Sequence, residues 1–190
     1  DKKDASYIYE TVRGHILAGN RLQNVWIPDK ELREDRDVVR TRFDLSKKIS
    51  MVKIQIQTLL KKYGIIRPQE IESWSVPFEL WLDKQEESNG SGFIISLQSL
   101  RRQLEFLKNE SKIIDKAILK IAQKERYRSQ CAALLKIKGV GMITAMTFLT
   151  EIGDVKRFSN RRQLGAYMGL VPSSFESGEW SDRKGRITRN

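Results

Sequence analysis

The sequence predicts a mainly α-helical protein in which a long helical arm is followed by a compact helical domain. Two long stretches carry apolar residues at alternating steps of four and three, which places those residues along one face of a helix. The last third of the chain is denser in apolar residues and is interrupted by glycines. A charged fraction of 31% beside a hydrophobic fraction of 39% is typical of long, solvent-exposed helices. We therefore expect an extended arm and one compact core.

The first predicted elements are a short helix and a long one. The short helix follows Asp4 and ends at Gly19, and residues 25–28 form an extended connector. The long helix begins after Asp29, a suitable N-cap, and ends before Gly64, a suitable C-terminal stop. The apolar positions that define its heptad pattern are Leu45, Ile49, Val52, Ile56, Leu59 and Tyr63.

A third helix is predicted from about Phe93 to Arg126, beyond an irregular insert at residues 64–92 that contains Pro68 and Pro77. The two apolar faces have comparable lengths, so they could pair antiparallel within one chain or between chains. An unpaired apolar face would remain exposed to solvent, so we expect a coiled coil and a homo-oligomer, either a dimer or a tetramer. The apolar positions of this helix are Phe93, Leu97, Leu100, Leu104, Leu107, Ile114, Ile118 and Ile121.

The charge of the chain favours a polyanionic partner. Lysine and arginine total 35 against 24 acidic residues, a net charge of +11. Such an excess favours nucleic acid because binding releases condensed counterions. No apolar run approaches the roughly 18 residues that span a bilayer, so no membrane partner is expected. The N-terminus carries no secretory pattern, and a lone cysteine, Cys131, fits a reducing cytoplasm.

The clearest local motif is a glycine turn between two predicted helices, Leu134-Leu135-Lys136-Ile137-Lys138-Gly139-Val140-Gly141. Glycines allow a tight turn and bring backbone N–H groups within reach of a phosphate, and the following helix adds partial positive charge. Lys136 and Lys138 supply full charges beside Gly139 and Gly141. The pattern resembles the helix-hairpin-helix motif of DNA repair and recombination proteins. The alternative is a helical corner whose glycines serve packing alone.

The tail after Gly169 is rich in glycine, serine and charge, and is predicted to be a loop. Ser177 lies there among four basic residues that could bind nucleic acid. A loop serine is most often a turn former, and the single histidine, His15, is distant in sequence, which argues against a Ser-His-Asp triad. The basic residues are Arg183, Lys184, Arg186 and Arg189.

Asp1 and Asp4 are spaced by one helical turn, so both carboxylates project from the same face of the first helix. Such a pair could hold a hard divalent cation. The simpler interpretation is that acidic residues favour helix N-termini because of the macrodipole.

Taken together, these motifs resemble the DEDD transposases of the IS110 insertion sequences, a family that also includes Piv-type DNA invertases. The resemblance runs from Asp1 to Asn190, and residues 134–188 are its specific part. The matching C-terminal motifs are Ile137-x-Gly139-Val140-Gly141-x-x-Thr144-Ala145, Glu151-Ile152-Gly153-Asp154, Arg157-Phe158, Gln163-Leu164, Tyr167-x-Gly169-Leu170-Val171-Pro172, Ser177-Gly178 and Gly185-Arg186-Ile187-Thr188.

The resemblance implies a DNA recombinase guided by a bridge RNA. Ser177 would then be the nucleophile that attacks DNA, and Asp1 and Asp4 would be the last two acids of a Mg²⁺-binding tetrad. Three segments are implied: residues 1–28 as the end of a RuvC-like α/β domain, residues 29–128 as a coiled-coil arm, and residues 129–190 as the C-terminal transposase domain. The first two tetrad acids have no counterpart, so we expect a fragment that binds nucleic acid but is inert alone.

Two other functions are compatible with the residues. A non-catalytic module that binds nucleic acid and assembles through the coiled coil would leave Ser177 as an ordinary residue. An accessory factor of repair or resolution would use the glycine turn alone. The Ser177-Gly178 pair and the motif at residues 185–188 favour the recombinase.

Overall fold

The computed structural model describes the backbone of residues 2–20, 22, 25–88, 90–177 and 180–187, and the side chains of residues 3–20, 22, 25–86 and 90–171. The predicted mainly α class is confirmed. The chain divides into two compact units, Asp1–Lys30 and Glu31–Asn190. The elements are α1 Lys2–Ala18, α2 Lys30–Lys62, α3 Val76–Ser88, α4 Ser91–Ala122, α5 Glu125–Leu134, α6 Met142–Ile152, a 3₁₀ turn Val155–Arg157, α7 Arg161–Tyr167, β1 Pro172–Ser177 and β2 Trp180–Ile187.

The first unit contains α1. The predicted helix is present, and it ends at Ala18, ahead of Gly19, whose φ of +66° suits glycine. Its apolar side chains are exposed, including Ile8 and Ile16. The assignment of this unit to a RuvC-like domain stays a prediction.

In the second unit, α2 and α4 form the arm and lie antiparallel within one chain. Arg42 near the middle of α2 donates to Asp115 of α4 at 2.6 Å, and Ile56 further along α2 shares a core with Leu104, which precedes Asp115 in α4. The heptad positions supply most of that core, since Val52, Ile56, Phe93 and Leu97 are buried. The two helices therefore pair antiparallel within one chain. Their assignment as a coiled coil stays a prediction.

The structure places a helix, α3, inside the insert predicted to be irregular. Ser75 caps it, because its Oγ accepts from the N–H of Phe78 at 3.3 Å. Pro77 lies in the first turn, where a missing N–H costs nothing, so it does not break the helix. Phe78 and Leu82, one turn apart, are fully buried against α2 and α4. The prolines predict a break in this segment, whereas the short apolar pair is the signal that indicates a helix.

The tail predicted to be a loop instead forms a two-stranded antiparallel sheet. Strands β1 and β2 pair with Pro172 opposite Ile187 and Ser177 opposite Trp180. The loop prediction was wrong because it gave weight to the glycine and charge content and none to the hairpin signal of two short runs separated by two residues, one of them glycine. The connecting residues 178 and 179 lie outside the described residues.

Candidate nucleic-acid interface

The glycine turn, residues 135–141, connects α5 to α6. The turn is closed by short backbone hydrogen bonds, from the N–H of Ile137 to Leu134 and from the N–H of Val140 to Ile137, both at 3.0 Å. Gly139 has a φ of +89°, a conformation that side chains with a Cβ rarely adopt. The predicted order of helix, tight turn and helix is therefore present, with Gly139 required by the backbone.

The N-terminus of α6 is open and positively polarised. Gly141 is its N-cap, with φ −92° and ψ 173°, and no side-chain hydrogen bond caps it among the described residues. The first intrahelical bond of α6 runs from the N–H of Ala145 to Gly141 at 2.9 Å, so the N–H groups of Met142, Ile143 and Thr144 have no carbonyl partner within the helix. A Cβ built on Gly141 meets no atom within 4 Å. An anion can therefore approach this helix end closely.

Two lysines flank the turn. Lys136 and Lys138 are both exposed, and between them Ile137 keeps 55% of its surface exposed. The turn thus brings together four predicted site residues, the two lysines with Gly139 and Gly141. The assignment of α5, the glycine turn and α6 as a helix-hairpin-helix motif stays a prediction.

Buried contacts behind the turn hold α5 and α6 together. Cys131 of α5 is 3% exposed, and its Sγ lies 3.5 Å from the Sδ of Met142 in α6. Burial raises the pKa of the Cys131 thiol, which keeps it protonated and unreactive. Ala145 and Met146 of α6 are fully buried. The lone cysteine therefore belongs to the core.

The C-terminus of α6 is fixed to α2 by two arginines. Arg36 donates from Nε to the Thr150 carbonyl at 2.9 Å and from an Nη to the Glu151 carbonyl at 3.3 Å, which caps the helix end. Arg40 forms a two-pronged pair with the Glu151 carboxylate at 2.7 and 2.9 Å, and this hydrogen bonding raises the pKa of Arg40. Tyr167 of α7 also donates to the Glu151 carbonyl at 3.1 Å.

Helix α5 is fixed to the same segment of α2 through Asp35, which is 4% exposed. The Tyr127 hydroxyl donates to Asp35 at 3.0 Å, and the Lys124 ammonium donates to Asp35 and to Glu31, both at 2.9 Å. Burial and the nearby Asp35 carboxylate raise the pKa of Tyr127. Hydrogen bonding to Asp35 raises the pKa of Lys124. Sequence reasoning missed these four residues, because each is a charged or aromatic side chain in a segment already rich in charge.

A groove of about 910 Å³ runs along α6 from its first turn to its last. It lies between α2 and α7, and Phe43 and Tyr167 keep 43% of their surfaces exposed on it. The Arg157 guanidinium lies 4.2 Å from the ring centroid of Phe158 and 4.3 Å from that of Tyr167, which lines the groove. Its lining residues are Arg40, Phe43, Thr144, Thr147, Phe148, Glu151, Ile152, Tyr167 and Met168.

The hairpin carries the predicted nucleophile and most of the basic tail. Ser177 ends β1 and pairs with Trp180, and Arg183 and Lys184 of β2 pair with Phe175 and Ser174 of β1. Arg186 also lies on β2. The backbone register therefore puts the serine and these basic residues on two adjacent strands. The side chains of residues 172–190, and all of Arg189, lie outside the described residues, so the phosphate pocket shared with the glycine turn stays a prediction.

The predicted metal ligands are only partly described. Asp4 lies in the first turn of α1 with its side chain exposed, and Asp1 lies outside the described residues. Where side chains are described, no three carboxylate, histidine or cysteine groups come together to hold a metal. One exposed carboxylate does not form a Mg²⁺ site, because that ion binds tightly only to several organised oxygen ligands. The described residues therefore supply one of the predicted ligands, Asp4, and the Mg²⁺ site stays a prediction.

Comparison with known proteins points to mobile genetic elements. Residues 131–190 match the model of the IS116/IS110/IS902 transposase family. The chain is 30% identical over 170 residues to y4qE of Sinorhizobium fredii, a protein named as a transposase, and this match covers 90% of the chain and 40% of the relative. It is 28% identical to the IS1111A transposase of Coxiella burnetii, with 94% of the chain and 47% of the relative covered.

A third relative, the IS1533 transposase of Leptospira borgpetersenii, is 27% identical, with 85% of the chain and 45% of the relative covered. The chain thus spans less than half the length of these curated relatives. No solved structure matches it significantly. Over the described residues, no helix is long and apolar enough to cross a membrane.

Proposed function

Because the chain belongs to the IS116/IS110/IS902 transposase family, we propose that it is the DNA-handling part of an insertion-sequence transposase. The observation that carries this proposal is the open N-terminus of α6, which emerges from the glycine turn beside two exposed lysines. Backbone N–H groups, the helix dipole and two full positive charges converge there, and each favours a backbone phosphate. Contacts of this kind hold nucleic acid in place without reading its sequence.

A substitution at Gly141 tests the phosphate role without disturbing the fold. A serine fits the backbone angles of Gly141 and is a good N-cap, so Gly141→Ser should keep the melting temperature or raise it. Its side chain would occupy the space and the N–H groups that the phosphate uses, so DNA affinity should fall about tenfold, the loss of one charge-assisted hydrogen bond.

Gly90 provides a matched control for that substitution. It is the uncapped N-cap of α4, with extended backbone angles and no atom within 4 Å of a built Cβ. Gly90→Ser should leave DNA affinity unchanged. An equal loss of affinity in both variants, or no loss in either, would show that the glycine turn does not bind DNA.

For the chemistry, we propose that Ser177 is the nucleophile that links the protein to DNA. Its Oγ would bond to the phosphorus while the bond from phosphorus to one deoxyribose oxygen breaks. The serine proton must pass to a base, and the departing oxygen must gain a proton. Arg183 and Lys184, on the adjacent strand, carry charge suited to the phosphoryl oxygens. Asp1 and Asp4 would contribute two of four carboxylates for Mg²⁺, and the ion would supply Lewis-acid polarisation of the phosphate.

The serine proposal is tested by trapping covalent DNA in the complete protein with Mg²⁺ and guide RNA. Ser177→Ala should abolish the covalent product while DNA affinity changes less than twofold. Ser174→Ala, in the same strand, should leave the product intact. A covalent product in Ser177→Ala would favour the non-catalytic role of this segment. The 190 residues alone should bind nucleic acid without cleaving it, and cleavage by them would contradict the proposed tetrad.

We also propose that a guide RNA and a second copy of the chain are partners. The heptad faces of α2 and α4 are packed against each other, so assembly would use a different face of the arm. Phe43, Met51 and Ile54 of α2 and Phe106 of α4 are exposed apolar side chains, and Met51 lines a shallow cleft with Phe106. Met51→Glu should dissociate the oligomer, whereas Ile66→Glu, at a more exposed apolar position, should not. Light scattering of both variants measures this directly.

A further inference from the structure

The first turns of α2 hold both helices that flank the glycine turn. Asp35 binds α5 through Tyr127 and Lys124, and Arg36 and Arg40 bind α6 through Thr150 and Glu151. We call these three residues of α2, with their partners, the clamp. The contacts join positions about 90 to 115 residues apart in sequence, so the clamp sets tertiary geometry and not local structure.

The clamp consists of directional hydrogen bonds and ion pairs, and the same stretch of α2 also packs through apolar side chains. Leu32 and Val39, on the same stretch of α2, are each 1% exposed and supply burial. Asp35 and Arg36 are largely buried, whereas the Arg40 side chain is 58% exposed. Ion pairs of either kind add little net stability compared with apolar contacts, but hydrogen-bonded pairs favour a narrow range of geometries. The two-pronged pair of Arg40 with Glu151 fixes both a distance and an orientation.

The geometry amplifies any change at the clamp. Helix α6 has 11 residues, a length of about 16 Å, with the clamp at its C-terminus and the open N–H groups at its N-terminus. A tilt of about 10° at the clamp would move the N-terminus by about 3 Å over that length. Misplacement of reacting groups by about 1 Å can cost a factor of about 100 in rate.

We propose that Asp35, Arg36 and Arg40 are positioning residues, through which the arm sets the direction of α6 and thereby the place of the phosphate bound at its N-terminus. This inference rests on the proposed phosphate role of the glycine turn. The clamp residues touch no nucleic acid in this role and act only through α5 and α6.

A charge-swap cycle between Arg40 and Glu151 tests the inference in the full-length protein. Arg40→Glu and Glu151→Arg should each lower recombination at least tenfold while DNA affinity changes less than threefold. The double variant restores an opposite-charge pair at positions 40 and 151 but not the contact of Arg36 with the Glu151 carboxylate at 3.5 Å, so it should recover at least a third of wild-type recombination and not all of it. A residue that supports folding alone would lower activity in proportion to the folded fraction, which thermal melting measures on the same samples.

A distance measurement separates the clamp from the phosphate role. Spin labels at two exposed positions outside the proposed phosphate site, Gln57 on the arm and Ala133 on α5, report the direction of the α5–α6 pair. The distance distribution should broaden in each single swap and narrow again in the double variant. Unchanged distributions, or broadened ones with full recombination, would overturn the inference. If the Gly141→Ser test fails while the distributions behave as expected, the phosphate role is wrong and the clamp stands.

Discussion

The two ends of the arm are held by different kinds of contact. At its far end, around Ile56, α2, α3 and α4 share an apolar core in which Phe78, Leu82 and Leu97 are fully buried. At its base, residues 31–40 of α2 meet α5 and α6 through a buried carboxylate and two arginines as well as apolar groups. Apolar burial is non-directional, whereas hydrogen-bonded charged pairs fix an orientation. The far end therefore stabilises the fold, and the base fixes the orientation of α5 and α6 relative to the arm.

The largest effect is expected at the far end. Phe78→Ala should lower the free energy of unfolding by about 4 kcal/mol, because it empties a fully buried aromatic site between three helices. Leu80→Ala, in the same helix but 59% exposed, is the control and should cost less than about 1 kcal/mol. Chemical denaturation of the two variants measures the difference, and similar costs would mean that α3 is not part of the core.

A smaller effect is expected at the base. Asp35→Ala should cost about 2 kcal/mol, because it leaves the Tyr127 hydroxyl without its buried acceptor. Asp35→Asn keeps an acceptor at that place and should cost less. If the base were held by Leu32 and Val39 alone, both variants would unfold at the wild-type denaturant concentration, and the contrast between the two ends would be lost.

The base should also be the part of the arm that is sensitive to alkali. The pKa values of Tyr127 and Lys124 are raised above their ordinary values of 10.0 and 10.5 in the folded state. The folded state therefore keeps protons that the unfolded state has lost, so this stability is fully present below about pH 10 and is lost as pH rises through the folded-state values. Tyr127→Phe, which cannot ionise there, should lose less stability than wild type between about pH 9 and pH 11. If chemical denaturation shows the same loss of stability with pH in both proteins, the prediction is wrong.

The contrast also explains what the sequence could predict. The heptad spacing predicted both α2 and α4, because burial of one helical face leaves a periodic pattern, and Asp29 and Gly64 located the ends of α2. It could not locate the clamp, because Asp35, Arg36 and Arg40 lie among other charges of α2 and their partners are about 90 or more residues away. In the interface, local motifs predicted the glycine turn. The β1–β2 hairpin was missed because the glycine and charge content of residues 172–187 outweighed a short hairpin signal.

The measurement that tests the central claim most directly is the salt dependence of DNA binding. The double substitution Lys136→Ala and Lys138→Ala should reduce the slope of log affinity against log salt concentration by about 2. Each phosphate contact contributes about 0.9 to that slope. Lys61→Ala with Lys62→Ala removes the same charge from the exposed end of α2 and is the matched control. The account predicts a reduced slope for the turn pair and a nearly unchanged slope for the control pair. Equal slopes in the two double variants would show that net charge, and not the glycine turn, binds the DNA.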